Sequence, residues 1–200
     1  TKDENKIRIT FHEPASVRNT DFIIIHSLIN ESKDKIWGWF PSFRRVRRIA
    51  PSEGEFMDTV LNYEELTRRL NGENLDNFEI VLLGEEKISG KNCYKISLTP
   101  KEEIIGDTAY ARREFWVRKE GIPAFLQVKY YYNEDYGGHV KIQRNFGIVE
   151  FLPGIWRTSY LIMAEYGKKE NLTSIIVFGK RDKKELDENI FDPKVLERIK

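Results

Sequence analysis

The stretch FEIVLLGEEKISGKNCYKISLT, residues 78–99, decides the fold, because two strand-like runs flank Ile88-Ser89-Gly90-Lys91. A Gly-containing turn between two such runs is typical of a tight β-hairpin. Residues 112–119 and 124–132 repeat this arrangement around Glu120-Gly121-Ile122-Pro123. Strands joined by short local turns favour an antiparallel sheet over a parallel βαβ fold.

Alternation of apolar and polar residues predicts further strands on both sides of these hairpins. They cover residues 7–11, 21–28, 35–40, 45–49, 140–146, 148–151, 155–165 and 173–179. Helical signals are confined to residues 62–70 and to a short segment, 192–199, that begins at Asp192-Pro193. The sequence therefore predicts a single domain over residues 1–200, mainly β with few helices (α+β). Its one curved antiparallel sheet is expected to form a barrel or half-barrel.

The composition excludes several classes of protein. With 33 Lys+Arg against 32 Asp+Glu, the formal net charge is +1, which does not favour a nucleic-acid-binding protein. Cys93 is the sole cysteine, so an internal disulfide and a cysteine-based zinc cluster are excluded. No apolar run reaches the roughly 18 residues that a membrane-spanning helix needs.

Catalytic and metal-binding motifs are missing from the sequence. His12, His26 and His139 lack the spacing of metal ligands, and no serine lies in a G-x-S-x-G motif. Acidic residues occur mixed with Lys and Arg, which is typical of solvated turns. The sequence therefore predicts a protein that is not an enzyme, with no catalytic residues, no metal and no cofactor.

The most conspicuous local feature is a basic run that contains Arg44, Arg45, Arg47 and Arg48. These side chains could bind phosphates, anionic lipid headgroups or an acidic partner surface. Alternatively, they form a charged strand and pair with the acidic residues at 53–55.

Trp37, Trp39, Phe40 and Phe43 form an aromatic cluster around Pro41. Trp37 and Trp39 share one face of a strand, because side chains alternate between faces. The cluster could line an apolar ligand cavity enclosed by a curved sheet. The alternative is ordinary core packing.

Several segments together resemble the bacterial outer-membrane lipoprotein-sorting protein family, the LolA/LolB-like group. In chain order they are Trp39-Phe40-Pro41-Ser42-Phe43-Arg44-Arg45-Val46-Arg47-Arg48-Ile49, Phe56-Met57, Asn62-Tyr63-Glu64-Glu65-Leu66, residues 83–94, Phe115-Trp116-Val117, Gly154-Ile155-Trp156, Phe191-Asp192-Pro193 and Leu196-Glu197-Arg198. The resemblance covers nearly the whole chain.

This resemblance implies a periplasmic protein with an incomplete antiparallel barrel whose hollow is covered by helices. Relatives in that group carry lipoprotein acyl chains, and a covered hollow would shield such chains at about 0.8 kcal/mol per buried CH₂. No catalytic residues come with the family.

The resemblance is incomplete at the N-terminus. Family members usually carry an amphipathic helix and further strands before the segment that begins here at Ile7, and this chain starts at Thr1 without a signal peptide. We expect either a shorter barrel or a processed protein that lacks an N-terminal portion. In the second case a partner or a second copy, forming a homodimer, would cover the open groove.

Our leading hypothesis is a carrier that holds a lipoprotein acyl chain or another lipid in its hollow. The expected wall residues are Phe11, Ile24, Trp37, Trp39, Phe56, Met57, Phe115, Val117, Leu126, Val128 and Tyr130. A second hypothesis is a module that docks onto an inner-membrane transporter or sorting complex through Arg44, Arg45, Arg47 and Arg48. A third is an envelope hydrolase, which would need converging acidic groups or a Ser/His pair.

Overall fold

The computed structural model describes residues 4–13, 15–27, 35–50, 60–62, 64–65, 75–122, 124–134, 138, 140–167 and 172–198. The chain divides into two compact units. The first unit comprises Thr1–Glu73 and Lys183–Lys200, and the second comprises Asn74–Asp182. The assignment of a single domain to residues 1–200 stays a prediction.

The first unit contains a four-stranded antiparallel sheet in the order β1-β2-β3-β4. Its strands are β1 (Glu4–Thr10), β2 (Asp21–Ser27), β3 (Lys35–Phe40) and β4 (Arg45–Ile49). Both faces of this sheet bury apolar residues, because Phe22 and Ile24 on one face and Ile23 on the other have no exposed surface.

The C-terminal part of the chain packs on the face that bears Ile23. The 3₁₀ turn Glu188–Phe191 lies against β1, where Lys6 pairs with Glu188 and an Arg8 N–H donates to the Ile190 carbonyl at 3.4 Å. The 3₁₀ turn Pro193–Arg198 lies against β2, β3 and β4, and its Leu196 is fully buried. The end of the chain thus completes the core of the unit that the beginning of the chain forms.

The second unit is a seven-stranded antiparallel meander in which every strand pairs with its neighbour in sequence. Its strands are β5 (Phe78–Ile88), β6 (Lys91–Pro100), β7 (Tyr110–Arg118), β8 (Phe125–Tyr132), β9 (Val140–Leu152), β10 (Ile155–Tyr166) and β11 (Leu172–Val177). The sheet is open, with β5 and β11 at its edges.

The turns of the meander follow the local sequence. Ser89 and Gly90 both have positive φ angles, 49° and 75°, as a tight two-residue hairpin requires. Gly147, at φ 57°, lies within β9 where an added Cβ would approach Ser159 to 3.0 Å. The strand β9 nevertheless continues through Gly147 as a single element. The sequence predicted two strands here, at 140–146 and 148–151.

The mainly β, antiparallel prediction is confirmed, with two corrections. The described strands form two sheets and not one, because β4 and β5 are far apart in sequence and no local turn signal directs their pairing. Helices over a concave side are not supported, since no helix among the described residues is longer than six residues. Most of the helix expected at 62–70 lies outside the described residues. None of the described helices is long and apolar enough to cross a membrane.

Candidate functional site

A cavity of about 860 Å³ lies in the first unit. Its described lining is Asn19, Trp39, Pro41, Arg44, Arg45, Val46 and Glu197. This volume lies toward the upper end of the roughly 300–1,000 Å³ typical of small-molecule sites. The first unit therefore offers room for a ligand beside one of the predicted tryptophans.

The cavity is shaped by the tight turn between β3 and β4. The Phe43 N–H donates to the Phe40 carbonyl at 3.0 Å, and the Arg44 N–H donates to the Pro41 carbonyl at 3.3 Å. Arg44 adopts a left-handed conformation, φ 47°, which costs a non-glycine residue on the order of 1 kcal/mol. The turn brings Trp39 of β3 and Val46 of β4 to the same cavity.

The cavity combines an apolar wall with a charged margin. Trp39, Pro41 and Val46 supply apolar surface, Arg44 and Arg45 supply positive charge, and Glu197 supplies one negative charge. Neither arginine forms an ion pair with a described carboxylate, although the Arg45 guanidinium lies over the Phe43 ring at 5.9 Å. A cavity of this kind is suited to an amphiphile that has an apolar body and an anionic group.

The other predicted arginines do not line this cavity among the described residues. Arg48 lies over the Trp37 ring at 6.0 Å, and Arg47 is an exposed residue of the edge strand β4. The predicted pairing of the arginines with residues 53–55 falls outside the described residues.

The structure separates the wall residues that were predicted for the N-terminal part of the chain. Strand register places Trp37 and Trp39 on the face of Ile23, whereas Ile24 points to the opposite face. Phe11 packs against Phe22, with ring centroids 6.1 Å apart. Of the described members of this group, only Trp39 lines the cavity. Phe56 and Met57 lie outside the described residues.

The remaining predicted wall residues lie in the second unit. Register places Phe115 beside Val128, and Val128 is fully buried. Val117 shares a face with Phe115 by alternation, and Tyr130 with Val128. Leu126 lines a separate pocket of the second unit. Of the nine described wall residues, four belong to the first unit and five to the second, and the cavity wall as a whole stays a prediction.

The buried face of the second unit also carries polar residues that the sequence analysis did not select. Arg113, Lys141 and Glu165 are each at most 1% exposed. The Lys141 ammonium contacts the Tyr110 hydroxyl at 3.3 Å, and the Tyr130 hydroxyl donates to Gln143 at 2.9 Å. Their sequence context did not indicate burial, because the neighbours of Arg113 are Arg112 and Glu114, a pattern typical of a solvated strand.

Two observations concern the metal-ligating and thiol groups of the described residues. No three His, Cys, Asp or Glu side chains of the described residues are placed to hold a metal ion. Cys93 is buried, and burial raises the pKa of its thiol above the usual value. A thiol with a raised pKa is a weaker nucleophile at neutral pH.

Comparisons with known proteins identify the fold. A family model described as "Uncharacterized protein" matches residues 3–198. A domain described as an outer membrane lipoprotein-sorting protein domain, from Vibrio parahaemolyticus, has a TM-score of 0.81 and 24% identity, covering 98% of this chain and 79% of that chain. A search of curated proteins found no match.

Two further solved structures share the fold. A DUF1329 family protein from Desulfovibrio piger has a TM-score of 0.78 and 27% identity, covering 96% of this chain and 77% of that chain. A LolA superfamily protein from Nitrosomonas europaea has a TM-score of 0.67 and 19% identity, covering 96% and 78%. The resemblance predicted from the sequence is thus confirmed.

Proposed function

Because the chain belongs to the family whose model spans residues 3–198 and has the LolA-like fold, we propose that it is a non-enzymatic carrier of a lipid or a lipoprotein acyl chain. The observation that carries this proposal is the 860 Å³ cavity beside Trp39. An acyl chain in the cavity would be stabilised by about 0.8 kcal/mol for each methylene removed from water. Its anionic end would lie near Arg44 and Arg45.

The cavity also supports this function over a docking role alone. A sheet whose faces were filled with side chains would leave no space for a chain of methylenes, and would favour a docking role alone. Two polar groups at the margin, Asn19 and Glu197, can hydrogen-bond a headgroup without acting on it chemically. We propose that the protein functions in the periplasm. The lipoprotein-sorting description of the Vibrio parahaemolyticus domain supports this location.

The test uses the full-length protein purified from the periplasmic fraction of its own host. Native mass spectrometry of the wild type is expected to show a co-purifying lipid. Trp39→Arg places a charge in the apolar wall, so we expect loss of that lipid and at least about tenfold weaker binding of a fluorescent fatty acid.

The matched control is Trp37→Arg, which changes the same residue type in the same strand and on the same face. Trp37 packs against Arg48 and does not line the cavity among the described residues, so lipid binding is expected to persist. Absence of any lipid from the wild type, or equal loss in both variants, would contradict the proposed carrier function.

A second candidate function is docking onto an inner-membrane transporter or sorting complex. It is favoured by the side chain of Phe43, which is 67% exposed and lies beneath the Arg45 guanidinium. Arginine and aromatic side chains are enriched in the centres of protein interfaces. A photo-crosslinking residue at position 43 should capture one envelope partner in cells, and capture should cease when Arg45→Glu reverses the adjacent charge.

A further inference from the structure

The second unit contains a pocket of its own, about 270 Å³ in volume. Its described lining includes Lys91, Arg118, Ile122, Leu126, Arg144 and Phe146. These residues come from the ends of two neighbouring hairpins, β5–β6 and β7–β8, and from the middle of β9.

The pocket forms because β9 separates from β8. The pairing of these strands begins with Gln127 opposite Arg144, and the rest of β9, as far as Leu152, has no partner in β8. At the point of separation the Asn145 side chain donates to the Phe125 carbonyl at 3.0 Å. The positive φ of Gly147 lies in the same segment, so the shape of the pocket is set by the backbone.

The charge of this pocket is positive and not compensated by its described lining. Lys91, Arg118 and Arg144 line it, and none of the described lining residues is acidic. None of the three forms an ion pair with a described carboxylate, and the Arg144 Nε–H instead donates to the Gln127 side chain at 3.2 Å.

Other cations of the same sheet do have acidic partners. Lys95 lies 3.2 Å from Glu86, and Lys119 lies 2.5 Å from Glu85. Three cations that share one pocket repel each other, and an anion bound among them would relieve this repulsion. Lys95 and Lys119 are thus neutralised by neighbouring carboxylates, whereas the three cations of the pocket are not neutralised by any described carboxylate.

We propose that this pocket binds a phosphate group carried by a small ester or a lipid headgroup. Arginine forms two parallel hydrogen bonds to a phosphate, and lysine adds a point charge. The apolar residues Ile122, Leu126 and Phe146 would contact the carbon part next to the phosphate. The volume is slightly below the roughly 300 Å³ at which sites for drug-sized ligands begin, so it fits a headgroup and not an acyl chain. This inference does not rest on the proposed function, because it concerns residues of the second unit only.

The experiment titrates the full chain with inorganic phosphate and, separately, with dihexanoylphosphatidylglycerol below its micelle concentration, at constant ionic strength set with chloride. Binding is followed by calorimetry. We expect saturable binding of one or both ligands, and affinity about tenfold weaker in Arg118→Gln/Arg144→Gln and several-fold weaker in Lys91→Gln. Lys91 is an exposed residue beside the β5–β6 turn, so its variant tests the pocket even where the double variant folds poorly.

The matched control is Arg157→Gln. Arg157 is an exposed residue of β10, and its guanidinium donates to the carbonyl of the neighbouring Trp156 at 2.9 Å. The affinity of the Arg157→Gln variant for phosphate and for the lipid should equal that of the wild type. Binding of the lipid alone that weakens in Arg118→Gln/Arg144→Gln identifies a headgroup as the source of the phosphate, binding of both ligands that weakens in this variant identifies the phosphate itself, and either supports the site. No saturable binding, binding that the double variant and Lys91→Gln leave unchanged, or equal weakening in Arg157→Gln overturns it. Lipid binding that is lost in Trp39→Arg but kept in the double variant belongs to the carrier cavity, so the two proposals fail separately.

Discussion

At the scale of single residues, Gly38 shows how tightly the first sheet is packed. A Cβ built on Gly38 would lie 2.8 Å from the Phe40 ring and 3.0 Å from the Phe22 ring. Both rings belong to the same core, where their centroids are 5.7 Å apart in an edge-on contact. Even one added methyl group therefore has to displace an aromatic side chain.

We predict that Gly38→Ala lowers the free energy of unfolding by about 1–3 kcal/mol, the usual cost of overpacking. Urea denaturation of the full chain measures the change. Gly179→Ala is the control, because no atom lies within 4 Å of its Cβ position and it should leave stability nearly unchanged. Equal effects of the two substitutions would show that the Gly38 position has more room than the structure gives it.

At the scale of strands, Glu86 of β5 and Trp116 of β7 are linked across the intervening strand β6. The Trp116 indole N–H donates to the Glu86 carboxylate at 2.8 Å, and Lys95 of β6 donates to it at 3.2 Å. These two hydrogen bonds lower the pKa of Glu86 below its ordinary value of 4.5. The three side chains therefore join three adjacent strands through one carboxylate.

This contact has a defined pH dependence. A carboxyl whose pKa is lower in the folded state stabilises the fold above the unfolded value, and that stabilisation is lost as the pH falls from about 4.5 through the folded-state pKa. We predict that Trp116→Phe raises the pKa of Glu86 toward 4.5 and makes stability less dependent on pH in this range. Carboxyl-resolved NMR titration measures the shift, and Trp156→Phe serves as the control. An unchanged pKa of Glu86 in Trp116→Phe would argue against the hydrogen bond.

Strands were also the elements that the sequence predicted best. Residues 35–40 and 45–49 coincide with β3 and β4, and the Ser89-Gly90 turn lies where the hairpin rule placed it. Alternation and turn residues are local signals, so one segment of sequence contains all the information they need. Pairing between distant strands is not local, which is why the division into two sheets was not predicted.

The candidate site could be predicted in part, for the same reason. Trp39, Arg44 and Arg45 were selected because they are close in sequence, and a single turn brings them to one cavity. Glu197 lines the same cavity but is distant in sequence from Trp39, so no local sequence pattern predicts its position there. Likewise Lys91, Arg118 and Arg144 come together only through the register of several strands.

At the scale of the whole molecule, the first unit is discontinuous in sequence. Leu196 of the C-terminal segment is fully buried against the sheet that the N-terminal segment forms. We predict that Leu196→Ala destabilises the protein by about 2–5 kcal/mol, as expected for a cavity left in a core. Hydrogen exchange should become faster in β1–β4.

The control lies in the same segment. Leu186 is 51% exposed, so Leu186→Ala should change stability by less than about 0.5 kcal/mol. Similar effects of the two leucine substitutions on exchange in β1–β4 would show that the C-terminal segment does not complete this core.

Because the first unit is discontinuous in sequence, its two parts are synthesised at different times. About 110 residues separate the two parts of this unit, from Glu73 to Lys183. At roughly 5–20 residues per second, a ribosome needs on the order of ten seconds to make them. During that interval β1–β4 exist without the segment that covers the Ile23 face, and the core of the first sheet stays incomplete until Leu196 has been synthesised. A nascent chain of this length thus exposes an apolar surface on β1–β4, and a chaperone that binds this surface would protect it until residues 188–198 pack on it.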